Sequence, residues 1–82
     1  HTYVGRVKAV NQISGIVTMK NVSRWDNGGV YTNSLGDVNM NSSKAMIVKN
    51  GKVITVKDIK KSDHVTAIAR STSDVYVLMV NE

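Results

Sequence analysis

Two histidines, five aspartates and one glutamate are the residues of this 82-residue chain that could bind a metal or carry a proton, and cysteine is absent. Zinc needs histidine, cysteine or carboxylate donors at set spacings, as in a pair of histidines four apart on one helix. Here His1 and His64 are far apart, and the nearest acids to His64 are Asp58 and Asp63. Alternation along "HVTAIARS" (64–71) turns His64 and Thr66 away from Val65, Ala67 and Ala69, so His64 is expected to face solvent. The serines fall mostly where turns are expected, and no GxSxG nucleophile elbow occurs. Asp26, Asp37, Asp58, Asp63 and Asp74 sit in turns or at a helix cap, where a carboxylate accepts backbone N–H groups. "NGG" lacks the lysine and the following helix of a phosphate loop, and "DNGG" offers one carboxylate where a calcium loop gathers several. These residue types imply no enzyme, no metal and no cofactor.

Binding is the better-supported chemistry. Lys44, Lys49, Lys52, Lys57, Lys60 and Lys61 fall within eighteen residues that contain a single acid, Asp58. Such a run could meet a polyanion, although a single-strand binder also needs aromatic platforms for its bases, and none lies inside the segment. Aromatic residues sit elsewhere: Trp25, the sole tryptophan, and Tyr31 flank "DNGGV" amid Asn, Ser and Thr. That setting suits a sugar-binding loop. It equally suits a tryptophan folded over a barrel end with its indole N–H satisfied, and this packing role is the one expected. Lys49, Lys52, Lys57, Lys60 and Lys61, with Trp25 and Tyr31, form the candidate binding face.

A chain of this size makes one domain and buries only about 60% of its unfolded surface, so its margin of stability is small. Fourteen valines, six isoleucines, four methionines and no phenylalanine point to an aliphatic core on strands, because β-branched side chains suit a pleated surface. The net charge of +5 reflects few acids rather than many bases. No apolar run approaches the roughly 20 residues of a membrane-spanning helix. A first residue that is not methionine suggests a fragment of a longer protein.

Strands must position these groups. "TYVGRVKAVN" (2–11) alternates, with Tyr3, Gly5, Val7 and Ala9 expected on one face. Gly5 within it suggests a bulge or a close backbone approach. "NQISG" turns the chain into the antiparallel strand 16–25, where Val17 and Met19 alternate with Thr18 and Lys20. A hairpin tip or loop is read near 26–36 and a short strand at 37–41. Asn50-Gly51 between apolar runs marks a type I′ hairpin, since both central positions need positive φ. "TVKDIKKSD" breaks the alternation: Val56 and Ile59 fall on one side of a single helical turn, and Thr55 and Asp58 have capping-box spacing. "VYVLMVN" (75–81) is apolar on both faces, as for a strand buried on both sides or central in a small barrel. The expected fold is all-β: a small closed or partly open barrel, OB-like, of five to six antiparallel strands with one short helical turn.

"GRVKAV" near the start, the Asn50-Gly51 hairpin, and the stretch Val56, Asp58, Ile59, Lys60, Asp63, Val65 together resemble the small OB-like barrel modules that accompany S-layer homology repeats in surface proteins of Gram-positive bacteria. Those modules carry glycine before the aspartate, where this chain has Ser62. The resemblance implies a non-catalytic structural or interaction module of an exported, cell-surface protein, partnered by wall polymer or by neighbouring domains. The alternative is an OB-type binder of single-stranded nucleic acid or oligosaccharide.

Overall fold

The computed structural model describes residues 1–26, 29, 31–32 and 35–81. Its strands are β1 (Thr2–Asn11), β2 (Ile16–Trp25), β3 (Tyr31–Thr32), β4 (Val38–Asn41), β5 (Met46–Lys49), β6 (Lys52–Ile54), β7 (His64–Ser71) and β8 (Asp74–Asn81), with one 3-10 turn at Val56–Asp58. They form a single sheet in the order β3-β2-β1-β7-β8-β5-β6, and β4 also pairs with β2. The all-β expectation with one helical turn holds. The sheet does not close, however, because its two ends do not pair. Nor is it wholly antiparallel: β5 runs parallel to β8, with Ile47 opposite Leu78. Among the described residues, eight strands replace the five to six expected, partly because β3 and β4 are two short pieces lying beside the same long β2. The tip or loop read near 26–36 falls partly outside the described residues.

Side chains from the inner side of this sheet meet in one cluster. Tyr3, Val7, Val17, Met19, Val22, Met40, Ile47, Val65, Ala67, Leu78 and Val80 are its main members. Alternation explains β7, where Val65, Ala67 and Ala69 are buried and His64 is exposed as expected. It fails in β1 after Val7. Lys8 is an extra residue there, between the pairs Val7–Met19 and Ala9–Thr18, so Ala9 turns out to solvent and Val10 packs inward. The reading that placed Ala9 inward is therefore corrected by the bulge. A second irregularity lies on β2 opposite Gly5, where Asn21 takes a φ of 55°. β7 and β8 repeat the arrangement near Tyr76 and Arg70, so Val75 is buried as well as Leu78. Both long pairs recover their original register beyond the second bulge.

The local signals between residues 46 and 63 form as the sequence indicates. Asn50 and Gly51 have φ of 53° and 80°, and the two-residue loop leaves Lys49 opposite Lys52. Ile59 is buried, and Val56 packs partly against the core. The Asp58 carboxylate accepts from the Thr55 N–H at 3.5 Å. Ser62 takes a left-handed φ of 72° without being glycine. Its N–H donates to the Val7 carbonyl at 2.9 Å and its carbonyl accepts from the Arg6 guanidinium at 3.3 Å, which holds the conformation in place. A non-glycine residue in that region costs about 1–2 kcal/mol. Ser62→Gly is thus expected to stabilise the domain by about 0.5–1 kcal/mol, after the greater chain entropy of unfolded glycine is subtracted. A rise in the urea midpoint with unchanged slope would show it; a fall would mean the serine side chain contributes more than its backbone costs.

Candidate binding surface

Strand register decides which candidate residues share a surface, because cross-strand partners lie on one face. Trp25 pairs with Tyr31 on one side and Thr2 on the other, Thr2 pairs with Ile68, Ile68 with Val77, and Val77 with Met46. The next row runs Ser23, Val4, Thr66, Met79, Val48, Val53. Both rows are on the outer side, opposite the core cluster. Large apolar side chains in them stand in solvent: Trp25, Tyr31, Val4, Ile68, Met46, Met79 and Val53 are all exposed. Such a surface is unusual, since soluble domains rarely leave many large apolar groups contiguous. β8 is therefore central in the sheet but covered on one side only, so of the two readings of its apolar faces the one that buries both does not hold.

Trp25 does not fold over the barrel end. It is 48% exposed and Tyr31 47% exposed, with ring centroids 4.4 Å apart and planes inclined at 48°. The Tyr31 hydroxyl donates to Ser23 Oγ at 3.1 Å. Beside the pair, Asp26 Oδ1 lies 2.9 Å from Arg24 Nε and 2.6 Å from His1 Nδ1, so the Arg24 guanidinium already faces an acid.

The five lysines of the candidate face are not together with the aromatic pair. Lys57, Lys60 and Lys61 are exposed on the 3-10 turn and the loop after it, and Lys52 is exposed in the β5–β6 hairpin. That loop is tied to β1 at Val7, whereas Trp25 lies opposite Thr2. Five residues of strand separate the two places, roughly 17 Å. Lys49 leaves the solvated set altogether. It follows Ile47 by two residues and shares its inward side, and its side chain is only 10% exposed. Its ammonium donates to Asp63 Oδ2 at 2.9 Å and to the Asp58 carbonyl at 3.2 Å.

Asp63 is the other half of this ion pair and is itself buried. Burial alone would raise its pKa, but the Lys60 N–H, donating to Oδ2 at 3.0 Å, and the Lys49 ammonium together outweigh that and hold it below its ordinary 3.8. Spacing concealed the pair, because Lys49 and Asp63 lie fourteen residues apart. A lysine in phase with a buried isoleucine was the available signal.

Elsewhere, a cleft of about 370 Å³ is lined by Gln12–Gly15, Ser42, Ser43, Ala45, Ile47 and Ile54–Val56, none of which carries an ionisable side chain. Among the described residues, no cluster of three or more His, Asp or Glu could hold a metal ion. Nor, among the described residues, is any helix long and apolar enough to cross a membrane.

No family model, curated protein or solved structure matches the chain. The surface must be interpreted from its own geometry.

Proposed function

We propose that this domain is a non-catalytic interaction module of a larger exported bacterial protein, OB-like in character, whose partner is wall polymer or a neighbouring domain. The exposed apolar outer face carries this reading. Leaving Ile68, Met46, Met79 and Trp25 in water forgoes roughly 25 cal/mol for every Å² of apolar surface that a partner would cover. The resemblance of the Val56–Val65 stretch to wall-associated modules supports the exported setting. The alternative, an OB-type binder of single-stranded nucleic acid or oligosaccharide through the lysine-rich face, is less well served, since the exposed lysines lie away from the tilted Trp25–Tyr31 pair.

Co-sedimentation with purified Gram-positive cell walls tests the proposal. The domain is expected in the pellet, and an Ile68→Glu/Met79→Glu variant is expected to remain in the supernatant while unfolding at the same urea concentration. A Lys57→Glu/Lys61→Glu variant should pellet like the parent. Oligonucleotide binding that weakens steeply with salt, lost in the lysine variant and not in the apolar one, would replace this reading with the nucleic-acid alternative.

A further inference from the structure

Resting on the interaction-module reading, we infer that the Trp25–Tyr31 pair is a carbohydrate platform that stacks a pyranose ring of a β-linked glycan chain. Both rings are about half exposed, with centroids 4.4 Å apart. Neither is needed for the core, since neither belongs to the buried cluster. Trp25 donates its indole N–H to no described residue. A pyranose with equatorial hydroxyls presents axial C–H bonds on its ring face, and their partial positive charge is attracted to the negative face of an aromatic ring. Rings inclined at 48° make a shallow trough for such a sugar rather than a flat plate.

Among the described cross-strand neighbours of the pair, the polar groups are uncharged or already committed. Thr2, directly across from Trp25, offers a hydroxyl to the rim of a stacked ring. Arg24 is held by Asp26. A nucleic-acid strand would need unengaged cations for its phosphates beside the stacked bases. The cross-strand neighbours of the pair, Thr2 and Ser23 with Val4 and Ile68 behind them, provide none. A neutral glycan requires none.

Cellohexaose and chitohexaose are the probes. Because Trp25 is the sole tryptophan, its emission reports directly on the trough. A saturable blue shift at millimolar hexasaccharide is expected. By calorimetry, Tyr31→Ala and Trp25→Ala should each lower affinity at least several-fold, Trp25→Phe should largely retain it, and the urea midpoints should stay unchanged. An unchanged spectrum at millimolar concentrations of both sugars overturns the inference, as does binding indifferent to Trp25→Ala and Tyr31→Ala. Oligothymidylate binding that quenches Trp25 and is lost in the same variants overturns it in favour of a nucleic-acid platform. If the wall co-sedimentation persists in Trp25→Ala while neither hexasaccharide binds, the glycan assignment falls and the interaction-module reading stands.

Discussion

Asp63→Ala is expected to lower stability by about 3–5 kcal/mol, the range for removing one member of a buried ion pair. The loss comes less from the missing attraction than from what stays behind. Lys49, 10% exposed, would keep its ammonium in a poorly hydrated place with only the Asp58 carbonyl as acceptor. The Lys60 N–H would also lose its acceptor. For a domain of this length, total stability is about 4–12 kcal/mol, so the loss is a large share of it and unfolds the variant outright if the parent lies at the low end of that range. Urea denaturation followed by Trp25 fluorescence measures this. Lys49→Met/Asp63→Leu should recover most of the loss, because well-packed apolar replacements of a buried pair are often neutral or better. A loss below about 1 kcal/mol for Asp63→Ala would show the pair to be hydrated and loosely held.

The same carboxylate sets a pH dependence with a definite sign. Its folded pKa is below 3.8, so it binds protons less readily folded than unfolded. The stabilisation is therefore fully present above the unfolded value and disappears as pH falls through the folded one. The parent should lose stability on acidification in that window. Asp63→Asn, already without the charge, should show a shallower slope there.

Gly5→Val is expected to cost about 3 kcal/mol or more, and Gly5→Ala about 1–3 kcal/mol, as overpacking of a filled core. A β-carbon at Gly5 would lie 2.9 Å from the Lys20 carbonyl oxygen, 3.1 Å from Val22 Cγ2 and 3.2 Å from Met19 Cε. The methionine end can swing aside, but the Lys20 oxygen is backbone, held where β2 bulges at Asn21. Any side chain at Gly5 must push that bulge outward. With roughly 4–8 °C per kcal/mol for a domain of this size, Gly5→Val should melt about 15 °C lower. A decrease of only a degree or two would mean that β2 yields easily there.

Signals confined to a few neighbouring residues were legible in the sequence. Asn50-Gly51, the Val56–Ile59 turn, the first hairpin and the inward set Val65, Ala67, Ala69 need nothing beyond adjacent side chains. Bulges were not legible at residue resolution: Gly5 hinted at one, but nothing marks Lys8 or Tyr76 as the extra residue that reverses the faces of Ala9 and Val75. The parallel pairing of β5 with β8 joins segments about thirty residues apart, beyond any local pattern. The candidate surface was legible in part. Trp25 and Tyr31 were found, but their neighbours Thr2 and Ile68 emerge only from cross-strand register, and Lys49 looked solvated because its partner is distant.

The position of β8 bears on how the chain assembles. It lies between β7 and β5, and the β5–β6 hairpin reaches the rest of the sheet through it. During synthesis β8 follows β7 after one short turn, with Ser71 opposite Asp74, so these two can pair locally while β1–β2 and β5–β6 wait as separate hairpins. The late step then joins the hairpins along the two outer edges of β7–β8, β1 to β7 antiparallel with Thr2 opposite Ile68 and β5 to β8 parallel, making this nonlocal closure the slow event. Until it occurs, two bare strand edges are open to other chains, which makes the nascent domain a natural client for a holding chaperone.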